Sequence, residues 1–484
     1  MLKNKKGTRS SKQELLKTFS NFSGLDEYFC KLFSPPDSIF SRVQYKNAPI
    51  GLALQHNLYD YYRNKIYNVQ KSPWIQRIRS EIRYRGFDHR LKLQINRFIT
   101  SASHPKRKFD IIFFAGNYVP RILDDFLKVI AELDTENVAF FSTDRRAYRY
   151  MLQKRNGLKL EVGMVPVKLE KQNSSSVPDF KKIVDAEISP MLMQEFGDMA
   201  HSMTAIIKSN LPVLASYFDI FENFIDEYCP SKIILGSDGF SIARTLCFAA
   251  SKKNVSTYVL QHGLVDSLNG YLPLIADHII VWSENEARIF SEAGVGAEKL
   301  FVAGSPRFDQ FNMREKKSSG SIKKLLFVIS PGVPQDVVSQ IDAAIAISKK
   351  LTGKYTIIVR PHPYYKMLCE TYLQKTSGTA ISIDNNSFIN SLSEADLVLF
   401  ADISTGVFES LASGKPTFIL KNESENKLDI YKFKRIGREV LTKALIEDAA
   451  LNEYNLLHSE SERSDNQGAS KKIASILMKE EILN

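Results

Sequence analysis

The sequence predicts two doubly wound α/β domains facing a central cleft, preceded by a basic, mostly helical N-terminal region. Three observations carry this. At 484 residues the chain is too long for one hydrophobic core. From residue 108 to 420, short apolar runs alternate with helical patterns, the mark of βαβ units and a parallel sheet. A polar, Ser/Gly-rich stretch at 312–323 interrupts the alternation once, as a linker does.

Residues 1–105 mix short helical patterns with Pro-containing loops and form the expected N-terminal region. Lys108-Phe-Asp-Ile-Ile-Phe-Phe-Ala-Gly116 is the first strand, an apolar run ending in glycine. A helix over 121–133 leads to strands over 137–142 and 158–163. A long helical pattern fills 189–228, followed by strand 233–236, helix 241–252 and strand 256–260. Strands at 276–282 and 299–304 flank a helix that stops at Gly294. These elements make a Rossmann-like first domain over 106–311. A second Rossmann-like domain over 324–425 holds strands 325–329, 355–359, 381–383, 397–400 and 417–420, with helices at 335–350, 388–394 and 406–413. The remaining segment, 426–484, reads as helical and charged.

Ligands of open α/β sheets bind at the carboxyl ends of the strands, and the chemistry-bearing residues gather there. Gln261-His-Gly263 ends a strand, which places the His262 imidazole at that edge with Gly263 allowing close approach. Gly236-Ser-Asp-Gly239 ends the preceding strand, so Asp238 and His262 are both candidates for taking a proton from an acceptor hydroxyl. Helix capping by Asp238 and a structural hydrogen bond by His262 are the plainer alternatives. Arg307 in Gly304-Ser-Pro-Arg307 follows the last strand of the first domain and is a hinge candidate.

In the second domain, Arg360-Pro-His-Pro363 forms a rigid strand exit that aims Arg360 and His362 outward, suited to phosphate. Ala401-Asp-Ile-Ser-Thr-Gly406 follows another strand. Ser404 or Thr405 would cap the next helix, Gly406 would permit close approach, and the free N–H groups would receive an anion. Glu409 lies one turn beyond Thr405 on the same face, placed to accept ribose hydroxyls.

The net charge of +11 sits in the first hundred residues, which hold 19 Lys and Arg against 7 Asp and Glu. Interleaved with Tyr61, Tyr62, Tyr67, Trp74, Tyr84 and Phe87, this segment would suit an anionic membrane surface. Nucleic acid is not expected, since no recognised motif accompanies the charge. The four cysteines are scattered without metal or redox spacing. No apolar run reaches the ~18 residues of a membrane span, and the first residues lack a secretory pattern, so a cytoplasmic protein is expected, held peripherally at the inner membrane face. Metal-binding, Walker A, zincin, nucleophile-elbow and Gly-x-Gly-x-x-Gly motifs are all missing from the sequence. No cofactor and no metal are therefore expected.

The ordered set Gln261-His-Gly263, residues 276–282, Gly304-Ser-Pro-Arg307, Arg360-Pro-His-Pro363 and Ser404-Thr405 resembles the GT-B glycosyltransferases of bacterial surface and capsular polysaccharide synthesis. It is similar to the CDP-glycerol glycerophosphotransferases, a resemblance that implies His262 as the base. It also resembles bacterial polysialyltransferases, whose motifs fall on Asp238-Gly239, His362-Pro363 and Ser404-Thr405 and imply Asp238 instead. Both resemblances imply that His362 and Ser404/Thr405 hold the donor phosphate. The expected activity is metal-independent transfer of a sugar from a nucleotide-sugar donor to a glycan or lipid-linked acceptor. A polyol-phosphate transferase with a CDP-linked donor and a nucleotide-sugar 2-epimerase are the alternatives.

Overall fold

Seven short apolar runs become the first sheet: β1 (Ile111–Ala115), β2 (Val138–Ser142), β3 (Glu161–Met164), β4 (Lys232–Leu235), β5 (Ser256–Leu260), β6 (His278–Val281) and β7 (Leu300–Val302). The structure is a computed structural model. It describes residues 28–35, 38–66, 108–165, 179–265, 268–311, 323–330, 334–375, 381–421, 433–447, 454–456 and 468–479. The sheet order is β3-β2-β1-β4-β5-β6-β7, with every neighbouring pair parallel. The chain winds outward from β1 to β3, then returns to the other side of β1 with β4. That reversal is the topological switch point of a doubly wound sheet.

The second sheet repeats the plan with β8 (Lys323–Val328), β9 (Tyr355–Arg360), β10 (Ile381–Ile383), β11 (Leu397–Phe400), β12 (Thr417–Leu420) and β13 (Arg435–Ile436). Its order is β10-β9-β8-β11-β12-β13, again all parallel, so its reversal lies between β8 and β11. Both sheets are thus the expected Rossmann-like kind. β13 lies in the segment read as purely helical; two residues at a sheet edge leave no apolar run to detect.

By contacts the chain divides into two units. The first runs to Ala303 and takes back the chain from Ser470; the second spans Gly304–Ala469. In the first unit the sheet is covered by α1 (Gln55–Ile66), α2 (Pro120–Ala131), α3 (Arg145–Lys154), α4 (Ala200–Tyr228) and α5 (Ser241–Lys252). The expected single helix over 189–228 is broken at Gly197, whose φ of 52° ends the preceding turn. α4 sets Phe221 and Phe224 edge-on against Phe114 and Phe141 of the sheet. Ile473 and Leu477 of the C-terminal helix (Ala469–Met478) join this first core. The second unit buries Leu325, Phe327, Ile357, Val359 and Leu399 around its own centre.

The N-terminal segment differs from expectation. Tyr61 and Tyr62 do not face outward for a membrane: they are 5% and 0% exposed. Phe33 stacks on Phe40 at 4.1 Å, and Tyr62 packs edge-on against Phe196 at 5.1 Å. Each large side chain buried this way contributes roughly 1.5–3 kcal/mol, which holds these rings in the interior of the first unit. Tyr67, Trp74, Tyr84, Phe87 and the expected linker at 312–323, save Lys323 at the start of β8, lie outside the described residues. Among the described residues, no helix is long and apolar enough to cross a membrane.

Candidate functional site

At the β1/β4 reversal the strand ends open onto a cavity of about 500 Å³. β1 and its following turn contribute Ala115, Gly116, Asn117 and Tyr118; β4 contributes Gly236 and Ser237. The starts of α2 and α5 bring Ile122, Phe240 and Ser241, and α3 brings Arg146. The remaining wall is His56, Asn57 and Asp60 of α1, a helix outside the strand–helix alternation. Gly236 is required here, because a Cβ would lie 2.3 Å from Ile122 Cγ2. Arg146 is held by Asp144, donating through Nε and Nη2, and lies over the Tyr118 ring. The lining therefore combines aromatic faces with amide, hydroxyl and charged groups, as small-molecule sites do. Neither α2 nor α5 has a side-chain cap at its N-terminus, so first-turn N–H groups there are not consumed by a cap.

α1 is fastened to this unit by a buried guanidinium. Arg244 of α5 is 0% exposed. Its Nε donates to Asp238 O at 2.9 Å, and its Nη1 to Gln55 Oε1 at 2.6 Å and Leu52 O at 3.1 Å. Nη2 reaches Pro273 O at 3.2 Å. Gln55 in turn donates to Asn269 Oδ1 and Leu272 O. None of His56, Asp60, Arg146 or Arg244 stood out in the sequence. For Arg244 a signal existed: it is the one charge among small and apolar residues at the start of α5.

Asp238, a candidate base, is 1% exposed. Its Oδ2 accepts from the N–H groups of Ile275 and Ala276 at 2.6 and 3.0 Å. Burial raises its pKa, opposed by Arg244 and those backbone donors. It pins the 275–276 backbone through that oxygen. The Gln261-His-Gly263 turn is braced too. Gln261 accepts from Trp282 N and donates to Gly263 O, while Tyr271 Oη also donates to Gly263 O. His262 lies beside the Tyr271 ring at 5.2 Å and does not line the cavity.

In the second unit, Arg360 lies against the turn that follows β10. Its Nη1 pairs with Asp384, also donates to Asn386 O and Ser391 Oγ, and its guanidinium lies 4.9 Å from the Phe388 ring centre. An always-charged guanidinium bonded to a buried carboxylate is a strong anchor; here it fixes the β9 exit through Nη1. His362 is half-buried near Tyr365. The expected side-chain cap at the next motif is missing. Thr405 holds the N-cap position of the helix Gly406–Ala412 without a side-chain bond, and Val407 N instead donates to Ser404 O. Glu409, one turn on, is buried at 8% exposure. Gly406 packs close to Phe388 and Phe400, where a Cβ would stand 3.0 and 3.1 Å away. At the β8/β11 reversal, Ser330 Oγ donates to Asp402 O at 2.7 Å, and Asp402 pairs with Arg435. Arg307 is buried at 6%, three residues into this unit, and Asp309 accepts from Ala469 N.

No family model and no curated protein matches the chain. Among solved structures, a putative UDP-N-acetylglucosamine 2-epimerase from Listeria monocytogenes is 14% identical over 76% of this chain and 96% of its own, with a TM-score of 0.50. The S. aureus MnaA–UDP complex is 14% identical over 76% and 95%, at a TM-score of 0.48. Acinetobacter baumannii MurG is 12% identical over 77% and 99%, at 0.45. At this identity the likeness is one of fold: two Rossmann-like units of the GT-B kind.

Proposed function

We propose that the protein is a nucleotide-sugar-dependent glycosyltransferase acting on a cell-surface or lipid-linked glycan. The observation that carries this reading is that each unit has its own strand-order reversal, β1/β4 in one and β8/β11 in the other. Two such crevices in one chain suit a reaction with two substrates. In this reading the acceptor enters the cavity of the first unit. The nucleotide binds at the carboxyl ends of β9 and β11, where His362, Ser404 and Thr405 meet its phosphates and Arg360 keeps the strand exit rigid. Charge on the leaving diphosphate would be neutralised by such groups without a metal. The basic first hundred residues would hold the protein near an anionic membrane surface.

Thermal unfolding with UDP, GDP, CDP and CMP, free and sugar-linked, tests this. A nucleotide at a hundred times its Kd stabilises by about 2.7 kcal/mol, an easily read rise in Tm. His362→Ala and Thr405→Ala should weaken the effective nucleotide at least about tenfold, the loss expected for one charge-assisted contact. No shift with any nucleotide would sink the reading. The Listeria neighbour, named a putative UDP-N-acetylglucosamine 2-epimerase, motivates a second reading: interconversion of the nucleotide sugar itself. A new epimer formed without any acceptor would favour it; turnover only with acceptor present favours transfer.

A further inference from the structure

In the second unit, Asp402 is gripped from both sides of the β8/β11 reversal. On one side is Ser330, two residues past β8 and 0% exposed. Its Oγ donates to Asp402 O at 2.7 Å and accepts from Asp402 N at 3.2 Å. Ser330 N in turn donates to Gln340 Oε1 at 2.8 Å. On the other side is Arg435 of β13, whose Nη1 donates to Asp402 Oδ1 at 3.1 Å. β12 lies between β13 and β11 in the sheet, so the guanidinium reaches across one strand to make this bond. The same carboxylate oxygen accepts from Ile403 N at 2.8 Å, which starts the turn carrying Ser404 and Thr405. Just past that turn, the Phe408 ring lies 5.9 Å from that of Phe433. The short segment 433–436 therefore touches the chain on both sides of the two hydroxyls. It is itself fixed, because β13 pairs with β12 and Ile436 is 0% exposed in the core of this unit. A buried charge pair gains little net stability over apolar packing of the same volume. Here the pair fixes where one turn of backbone lies.

We propose that Arg435 and Asp402 are positioning residues for donor binding: they hold the 402–406 turn so that the Ser404 and Thr405 hydroxyls meet the donor's phosphate groups. The inference rests on the nucleotide reading above. Neither residue of the pair has to touch the nucleotide. A binding group works within about 0.5 Å of its productive place, and the place of these two hydroxyls is set by the bonds from Ser330 and Arg435 to Asp402. Coupling between a ligand and the pair that prepares its site is reciprocal. What Arg435 does for the nucleotide, the nucleotide does for segment 433–436, which becomes harder to open when the site is filled.

The test uses the full chain, with UDP, GDP, CDP and CMP titrated calorimetrically at a temperature well below the Tm of every variant. Arg435→Met keeps the apolar stem and removes the guanidinium. It should weaken whichever nucleotide binds the wild type by about tenfold to 100-fold, the range seen when outer-shell partners of a bound ion are removed. In a Ser404→Ala, Thr405→Ala background the same change should cost less than about twofold, the usual error of additivity, because the hydroxyls it positions are gone. A merely structural role would lower Tm and leave the Kd of the folded protein unchanged. A second measurement needs no variant: bound nucleotide should slow amide exchange in peptides covering 402–408 and 433–436 together. Binding by Arg435→Met within about twofold of wild type, an equal loss in both backgrounds, or protection of 402–408 without 433–436 overturns the positioning pair and leaves the nucleotide reading intact. If the wild-type protein binds none of the four nucleotides, that reading fails and the pair's role with it.

Discussion

Arg244→Leu removes the buried cation that fastens α1 to α5. The change orphans Gln55 Oε1 and three backbone carbonyls, those of Leu52, Asp238 and Pro273. It also takes away the cation that opposes the burial of the Asp238 carboxyl. Four bonds from a charged donor, at about 1.5–3 kcal/mol each, would exceed what breaking a buried charge cluster actually costs. The measured range for that is about 3–5 kcal/mol, because neighbours relax and water enters. The expected loss is therefore about 3–5 kcal/mol in urea unfolding, with the leucine returning part of it through apolar burial. It should appear first as local opening: faster amide exchange in peptides covering residues 51–60, with peptides of the second unit unchanged. A loss below about 1 kcal/mol would refute the reasoning, since no buried charged group with four partners can be removed so cheaply. Faster exchange spread evenly over both units would refute it as well.

Gly236→Ala should lower Tm, because its Cβ would meet Ile122 Cγ2 at 2.3 Å; overpacking of this kind costs about 1–3 kcal/mol. Cys229→Gly should raise stability by about 0.5 kcal/mol in the same assay, since Cys229 ends α4 in the left-handed region with φ 48° and ψ 47°, where glycine carries no Cβ penalty. Glu222 gives a pH dependence. Burial acts to raise its pKa, but the ion pairs with Lys252 at 2.7 Å and Lys46 at 2.9 Å outweigh it and hold the carboxyl below its ordinary value. Its folded pKa lies under the unfolded one, so the cluster stabilises fully above the unfolded value and is lost as pH falls through the folded one. Denaturation profiles from pH 7 into the acid range should therefore fall less steeply for Glu222→Gln than for wild type.

The strands are legible because both sheets are parallel and covered on both faces. Ile111–Ala115 and Val138–Ser142 are buried at every position, and such strands read as unbroken apolar runs. β13 is not legible, because Arg435–Ile436 offers two residues and one charge. The strand-end motifs are legible as positions but not as roles. Asp238 reads as an acid at a sheet edge, and nothing local says that the 275–276 backbone will close over it. Arg360 reads as an outward cation, yet Asp384, from the turn after a neighbouring strand, claims it.

The candidate cavity shows where sequence reading stops and why. Its floor follows from strand order, so Gly236 and Ser237 could be anticipated at a carboxyl edge. Its outer wall comes from α1, some 190 positions away in the chain from the α5 residue that grips it, as the separation between Gln55 and Arg244 records. The high positive charge of the first hundred residues points outward, towards solvent and an anionic surface. The apolar content of the described part pulls it inward: Phe29, Phe33, Phe40, Leu58 and Tyr62 are all 0% exposed. Burial of that many large side chains, at roughly 1.5–3 kcal/mol each, decides the position of the segment, and Arg244 decides its register. Stability and site are then coupled through the same residue. An Arg244 variant that frees α1 also carries His56 and Asp60 away from the cavity, so its activity should fall by more than its remaining folded fraction accounts for.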